Sequence, residues 1–196
     1  MDTLVIFGGT FNPIHKGHVE ILDALSELTN SKILLIPTKI PPHKETDFLA
    51  EETHRINMCK IIASRYNNVE VNDIELKRQG KSFTVDTVSE LKKLYPEHKI
   101  ALTIGADMLT SFCLWKDYDK LIKDVKIFAF NRANVHKDDF NCSLEKLREI
   151  GADISVIDKD ITAVSSTEIR ENIDKHFNLI DEEVYNYIID NSVYGA

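Results

Sequence analysis

The chain has 196 residues, 43% of them hydrophobic and 29% charged, which suits one folded domain spanning 1–196 with a single sizeable core. Its formal net charge of -8 argues against a general nucleic-acid binder, because a surface that tracks a phosphate backbone needs a basic stripe. No run of about 20 apolar residues predicts a membrane span or a leader, and three cysteines (Cys59, Cys113, Cys142) without paired metal-ligand spacing suit a reducing cytoplasm.

In chain order, Thr3 to Gly8 is a short apolar run of β-formers ended by glycine and reads as a buried strand. From Gly17 to Leu28 the residues Val19, Ile21, Leu22, Leu25 and Leu28 recur at helical spacing. Lys32 to Pro37 is a second strand, stopped by proline, and Glu51 to Arg65 reads as a helix. Val69 to Ile74 predicts a short strand and Thr84 to Leu94 a helix. Ile100 to Ile104, Val125 to Phe130 and Ile154 to Ile157 are further apolar runs of strand length. From Ser166 onward the pattern is helical, in two pieces separated near Asn178. Strands alternating with helices predict an α/β fold with a doubly wound, mainly parallel sheet and a helical C-terminal piece. Ligands of such a sheet bind beyond the carboxyl ends of its strands, so the loops after Phe7, Ile36, Ile104 and Ile157 are the ones to watch.

The first strand runs into G-G-T-F-N-P-I-H-K-G-H. Gly8 and Gly9 can take positive φ and let backbone approach a ligand. Thr10 and Asn12 offer polar side chains, and the next helix begins near Lys16 or Gly17 with its free N–H groups facing the same space. That is an arrangement for a polyphosphate. His15 and His18, three residues apart, project to one side if both fall on the opening turn. A tight turn with two incidental histidines is the bland alternative. Two histidines without nearby carboxylates or thiols make a poor metal site, so no protein metal site is expected.

The string G-T-F-N-P-I-H-K-G-H closely resembles the H-x-G-H motif of a nucleotidyltransferase superfamily. Four more segments narrow the resemblance to the nicotinate mononucleotide adenylyltransferases of bacterial type: P-P-H-K, S-F-T-V-D-T, I-G-A-D-M-L followed by Trp115, and V-S-S-T-E-I-R. The resemblance spans nearly the whole chain. It implies a Rossmann-like nucleotidyltransferase fold and transfer of the adenylyl group of ATP to nicotinate mononucleotide, with magnesium as the ATP counter-ion. By that resemblance His15, His18, Lys44 and Arg170 carry the catalysis. ATP would meet Gly8, Gly9, Thr10, Phe11, His15, His18, Gly105, Asp107, Ser165, Ser166, Thr167 and Arg170. The mononucleotide would meet Asn12, His43, Lys44, Ser82, Phe83, Thr84 and Trp115, with the pyridine ring stacked on the tryptophan.

Each segment has an ordinary structural reading beside the functional one. His43 and Lys44 could be a solvated basic turn, and Trp115 a core residue. Thr84 could cap a helix, and the Ser165–Thr167 run could do the same. Phe83 stands where tyrosine is common in the family, which removes a hydroxyl and keeps the ring. After Phe130 the chain reads N-R-A-N-V where relatives often have R-P-G, so Arg132 is left outside the expected site. Pantetheine-phosphate adenylyltransferase, of the same superfamily, is the nearest rival, and a nucleotide-binding regulator without turnover is a rival of another class.

Overall fold

The computed structural model describes residues 2–29, 31–39, 49–131 and 137–195. Its centre is a six-stranded sheet in the order β3-β2-β1-β4-β5-β6, built from β1 (Thr3–Gly9), β2 (Lys32–Pro37), β3 (Val69–Val71), β4 (Lys99–Gly105), β5 (Val125–Phe130) and β6 (Asp153–Ile157). Every pairing is parallel, and β1 is flanked by β2 on one side and β4 on the other. The helices are α1 (Lys16–Leu28), α2 (Glu52–Ala63), α3 (Thr84–Leu94), α4 (Ala106–Thr110), α5 (Tyr118–Asp124), α6 (Lys137–Glu149), α7 (Ser166–Glu171) and α8 (Glu182–Asp190).

The continuous apolar runs follow from the burial of both sheet faces. Successive side chains of a strand point to opposite faces. Leu4 and Ile6 of β1 join Leu34 and Ile36 of β2 in one core, beneath Val88 and Leu91 of α3, Leu121 of α5 and Leu144 of α6. Val5 and Phe7 join Ile33 and Leu35 in the other, beneath Leu22 of α1, Met58 of α2, Ile169 of α7 and Ile188 of α8. A run that alternated with polar residues would leave one of these cores unfilled.

The predicted doubly wound parallel sheet is therefore present, with four departures in detail. The third strand stops at Val71 rather than Ile74, because the Asn72 side chain accepts the Ile74 N–H at 3.0 Å and turns the chain. Residues 106–124, read only as a strand exit and a tryptophan segment, form α4, a 3-10 turn at Phe112–Leu114 and α5. Helix α6 had no counterpart among the predicted elements; its buried stripe is only Phe140, Leu144 and Leu147 in a 13-residue span rich in charge. The C-terminal break is wider than expected, with Asn178 inside a 3-10 turn between α7 and α8.

The order of strands reverses between β1 and β4, and a crevice opens there above the carboxyl ends. The segment after β6 crosses back to wall the start of α1. Thr162 donates from its N–H and its hydroxyl to the Glu20 carboxylate at 2.6 and 2.7 Å. This approach needs Gly17, since a Cβ there would lie 2.9 Å from the Thr162 carbonyl oxygen. Gly17→Ala is therefore expected to destabilise the protein by about 1–3 kcal/mol, as overpacking against backbone does. An unchanged urea midpoint would show that the two segments separate freely.

Candidate active site

The loop from Thr10 to His15 joins β1 to α1, and the rest of the site is arranged around it. Asn12 is 4% exposed, and its side-chain oxygen accepts the Ala50 N–H at 3.0 Å and the Tyr194 hydroxyl at 2.8 Å. The backbone carbonyls of the loop receive side chains from distant segments. Arg55 donates to Thr10 at 2.9 Å, Arg170 to Asn12 at 2.7 Å and Ser166 to Pro13 at 2.9 Å. Carbonyl oxygens held this way are not turned toward an anion.

Phe11 supplies the bend of the loop, with φ of 47°. Gly8 and Gly9 are free to take positive φ, but neither adopts it. Gly9 is needed for another reason: a Cβ there would come within 2.8 Å of the Phe11 ring, which folds back under the strand. Gly8 is different, since nothing lies within 4 Å of where its Cβ would point. The Phe11 ring packs edge-on against Phe7 at 5.5 Å and His18 at 5.0 Å, so it supports the loop from the core instead of facing a nucleotide.

His15 occupies the N-cap position of α1, and His18 sits in the first turn. Their rings lie 3.7 Å apart between centroids, tilted by 32°. The His15 backbone N–H donates to Nδ1 of His18 at 3.3 Å. With Nδ1 accepting, a neutral His18 carries its proton on Nε2, a donor on a ring that lines the crevice.

The crevice encloses a cavity of about 430 Å³. Gly8, Gly9, Thr10 and His18 line it from the first loop, Gly105 and Asp107 from the end of β4, and Ser82, Phe83, Thr84 and Trp115 from the α3 and α5 side. Two motifs far apart in sequence are thus brought to one space. Thr84 is the first residue of α3 and not its cap; Phe83 holds the N-cap position and no side chain closes it. Ser82 is buried at the same wall. Trp115 packs against Phe112 at 4.9 Å between centroids, so it belongs to a core and to the cavity wall at once.

Other expected residues lie elsewhere. Asn12 was expected to contact the mononucleotide, but its side-chain oxygen is committed to Ala50 and Tyr194. Ser165, Ser166, Thr167 and Arg170 do not line this cavity. Ser165 caps α7 by accepting the Glu168 N–H at 3.1 Å, as the capping alternative supposed. Arg170, expected at a phosphate, spans the Asn12 carbonyl and the Thr167 hydroxyl, the latter at 3.3 Å. His43, Lys44 and Arg132 lie outside the described residues.

Sequence reasoning passed over two residues that the structure brings forward. Arg55 is 0% exposed and makes no ion pair among the described residues. It donates instead to the carbonyls of Thr10 and of Thr38, the latter at 2.7 Å, and to Ala50 at 3.2 Å. Desolvation pulls its guanidinium below the ordinary value. Its signal was present in the sequence: Arg55 shares the inward face of α2 with Met58, Cys59 and Ile62.

Glu75 is the second. It lines the cavity, is 7% exposed, and accepts the Thr87 hydroxyl at 2.9 Å. Arg78 in turn donates to Thr87 at 3.1 Å and to Glu90 at 2.7 Å. Burial pushes the Glu75 carboxyl above its ordinary 4.5, although the hydroxyls of Thr87, Ser82 and Thr38 and the charge of Arg78 oppose the shift. An acidic residue between Ile74 and Leu76 was the only sequence hint.

Among the described residues no group of three or more His, Cys, Asp or Glu is placed to hold a metal ion, and no helix is long and apolar enough to cross a membrane. The crevice, the glycine-bearing first loop and the paired histidines are those of a nucleotidyltransferase, and the cytidylyltransferase-like family model matches residues 6–172. A probable nicotinate-nucleotide adenylyltransferase of Carboxydothermus hydrogenoformans is 37% identical over 194 residues, covering 96% of each chain. One of Clostridium tetani is 36% identical over 193 residues, again covering 96% of each. The fold is shared with the nicotinic acid mononucleotide adenylyltransferase of Plasmodium falciparum, solved in complex with NaAD, at a TM-score of 0.82 and 22% identity, covering 100% of this chain and 98% of that one. The chain belongs to the cytidylyltransferase-like family and, within it, to the nicotinate-nucleotide adenylyltransferases.

The buried carboxyl gives this site a pH signature. A carboxyl with a raised value binds its proton more tightly folded than unfolded, so its contribution is present in acid and lost as pH rises through the folded value. Glu75→Gln keeps the neutral form at all pH values. Relative to wild type, the variant is expected to gain thermal stability as pH rises above 4.5. A difference in Tm that does not vary with pH would remove Glu75 as a buried titrating group.

Proposed function

We propose that the cavity at the β1–β4 switch point is where the chain joins ATP to nicotinate mononucleotide, releasing pyrophosphate and forming nicotinate adenine dinucleotide. One observation carries this reading: the first loop with His18 and the uncapped start of α3 with Trp115 face each other across a single cavity. A glycine-bearing strand exit and a helix N-terminus both favour anions. The mononucleotide has two anionic ends, a phosphate and a ring carboxylate.

In the reaction a phosphate oxygen of the mononucleotide attacks the α-phosphorus of ATP. A new P–O bond forms as the bond to the bridging oxygen of pyrophosphate breaks. No covalent enzyme intermediate is needed, so orientation and charge stabilisation carry the rate. Gly8 leaves room for phosphate against the backbone, and His18 offers Nε2–H to an equatorial oxygen as negative charge grows there. Arg170 and Ser166 hold the loop in shape through the Asn12 and Pro13 carbonyls. The mononucleotide ring rests on Trp115, with its carboxylate toward the N–H groups of Ser82, Phe83 and Thr84. Magnesium would accompany ATP as its counter-ion, with phosphate oxygens and water as the ligands a hard cation takes, and would offset charge on the phosphates. We place the reaction in the cytoplasm, where the thiols of Cys59, Cys113 and Cys142, unpaired in the fold, stay reduced.

Magnesium-dependent pyrophosphate release is expected to be strong with nicotinate mononucleotide and weak with nicotinamide mononucleotide. Equal release with both would overturn the carboxylate preference, and none with either would overturn the substrate. In the same assay His18→Ala is expected to keep its fold and lose on the order of 10²–10³ in turnover. A rate near wild type would take His18 out of the chemistry.

A further inference from the structure

We propose that Lys116 determines the preference for a carboxylate over a carboxamide on the pyridine ring, by pairing its ammonium with that carboxylate. The inference rests on the reading that this cavity takes nicotinate mononucleotide. Lys116 is the one Lys or Arg among the described residues lining the cavity, where the acidic lining groups are Glu75 and Asp107. A cavity with that balance repels a substrate carboxylate unless a cation stands where the carboxylate goes.

The lysine is positioned for that task. Its ammonium lies over the Phe83 ring, 4.8 Å from the centroid, and its backbone follows Trp115 directly. Phe83 and Trp115 both line the cavity, so the cation stands beside the aromatic walls that would hold the ring. At present the ammonium is paired with Asp86 at 3.3 and 3.4 Å. Both side chains of that pair are about two-fifths exposed, at 44% and 41%. A half-exposed ion pair contributes little and is readily exchanged. A ring carboxylate arriving between Phe83 and Trp115 replaces Asp86 with another full negative charge, whereas a carboxamide offers only a dipole. The Phe83 ring holds the ammonium near this position by cation–π attraction without a hydroxyl to compete for it. The backbone donors at the start of α3 bind the carboxylate; Lys116 adds the charge that an amide cannot match.

The test is kcat/KM with nicotinate mononucleotide and with nicotinamide mononucleotide, for wild type, Lys116→Met and Lys116→Arg. Methionine keeps the length of the stem and removes the charge. The expected result is a loss of about two- to fivefold with the acid, the range of a half-exposed charge pair, against no loss with the amide. Lys116→Arg should keep most of the acid preference. A second readout is binding: the rise in Tm on adding nicotinate mononucleotide should shrink in Lys116→Met, while the smaller rise with the amide stays. Equal losses with both mononucleotides would overturn the proposal, because the cation would then serve the shared phosphate or the fold. An unchanged ratio would overturn it as well. A wild-type protein inactive with both would instead bring down the reading of the cavity on which the proposal stands.

Discussion

A buried loop has to find partners for its own backbone, and that requirement organises this molecule. The segment from Thr10 to His15 lies largely in the interior, where an unpaired carbonyl costs free energy. Its oxygens at Thr10, Asn12 and Pro13 are met by Arg55, Arg170 and Ser166, and the Asn12 side chain by Ala50 and Tyr194. Those partners come from α2, α7, the segment before α2 and the chain's last turn. The loop is thus the point at which the N-terminal strand, the middle of the chain and its C-terminal helices are tied together. With its carbonyls occupied from within, it can present donors and open glycine backbone to a phosphate.

Three glycines of one motif turn out to answer to three different constraints. Gly8 borders open space in the cavity, Gly9 makes room for the folded-back ring of Phe11, and Gly17 lets the Thr162 carbonyl close against α1. None of the three uses the left-handed backbone that glycine alone adopts easily; Phe11 takes it instead. Only the first of these constraints concerns a ligand directly. The other two concern how tightly the support beneath and beside the loop can be packed, which sets the precision of the two histidines.

The cavity wall opposite the loop is polar in a connected way. Glu75 accepts from Thr87, Thr87 accepts from Arg78, and Arg78 also pairs with Glu90. Networks of this kind are rigid when every member has a partner and costly when one does not. This one fixes the start of α3 relative to the turn after β3, and so fixes where Ser82, Phe83 and Thr84 face the cavity. It also places a buried carboxyl within a site read as accepting an anion.

Much of this was legible in the residues themselves. Unbroken apolar runs such as Leu4–Phe7 and Ile33–Ile36 demand cover on both faces, which is why a parallel sheet could be read before any contact was known. The H-x-G-H string and the S-F-T-V-D-T segment marked both sides of the cavity, because local chemistry of this kind is carried by contiguous residues. Arg55 and Glu75 left only a hint, a charged residue among apolar ones, and their roles were not legible, since a charged residue becomes structural only when distant backbone or a distant hydroxyl meets it. For the same reason Arg170 and Ser166 read as phosphate ligands in the sequence and appear in the fold as struts of the first loop. The sequence by itself determined which residue types are present and how often apolar positions recur, hence the strands, most helices and the family. Tertiary structure alone decided which polar groups face a ligand and which face the protein, because hydrogen-bond partners are chosen by proximity in space.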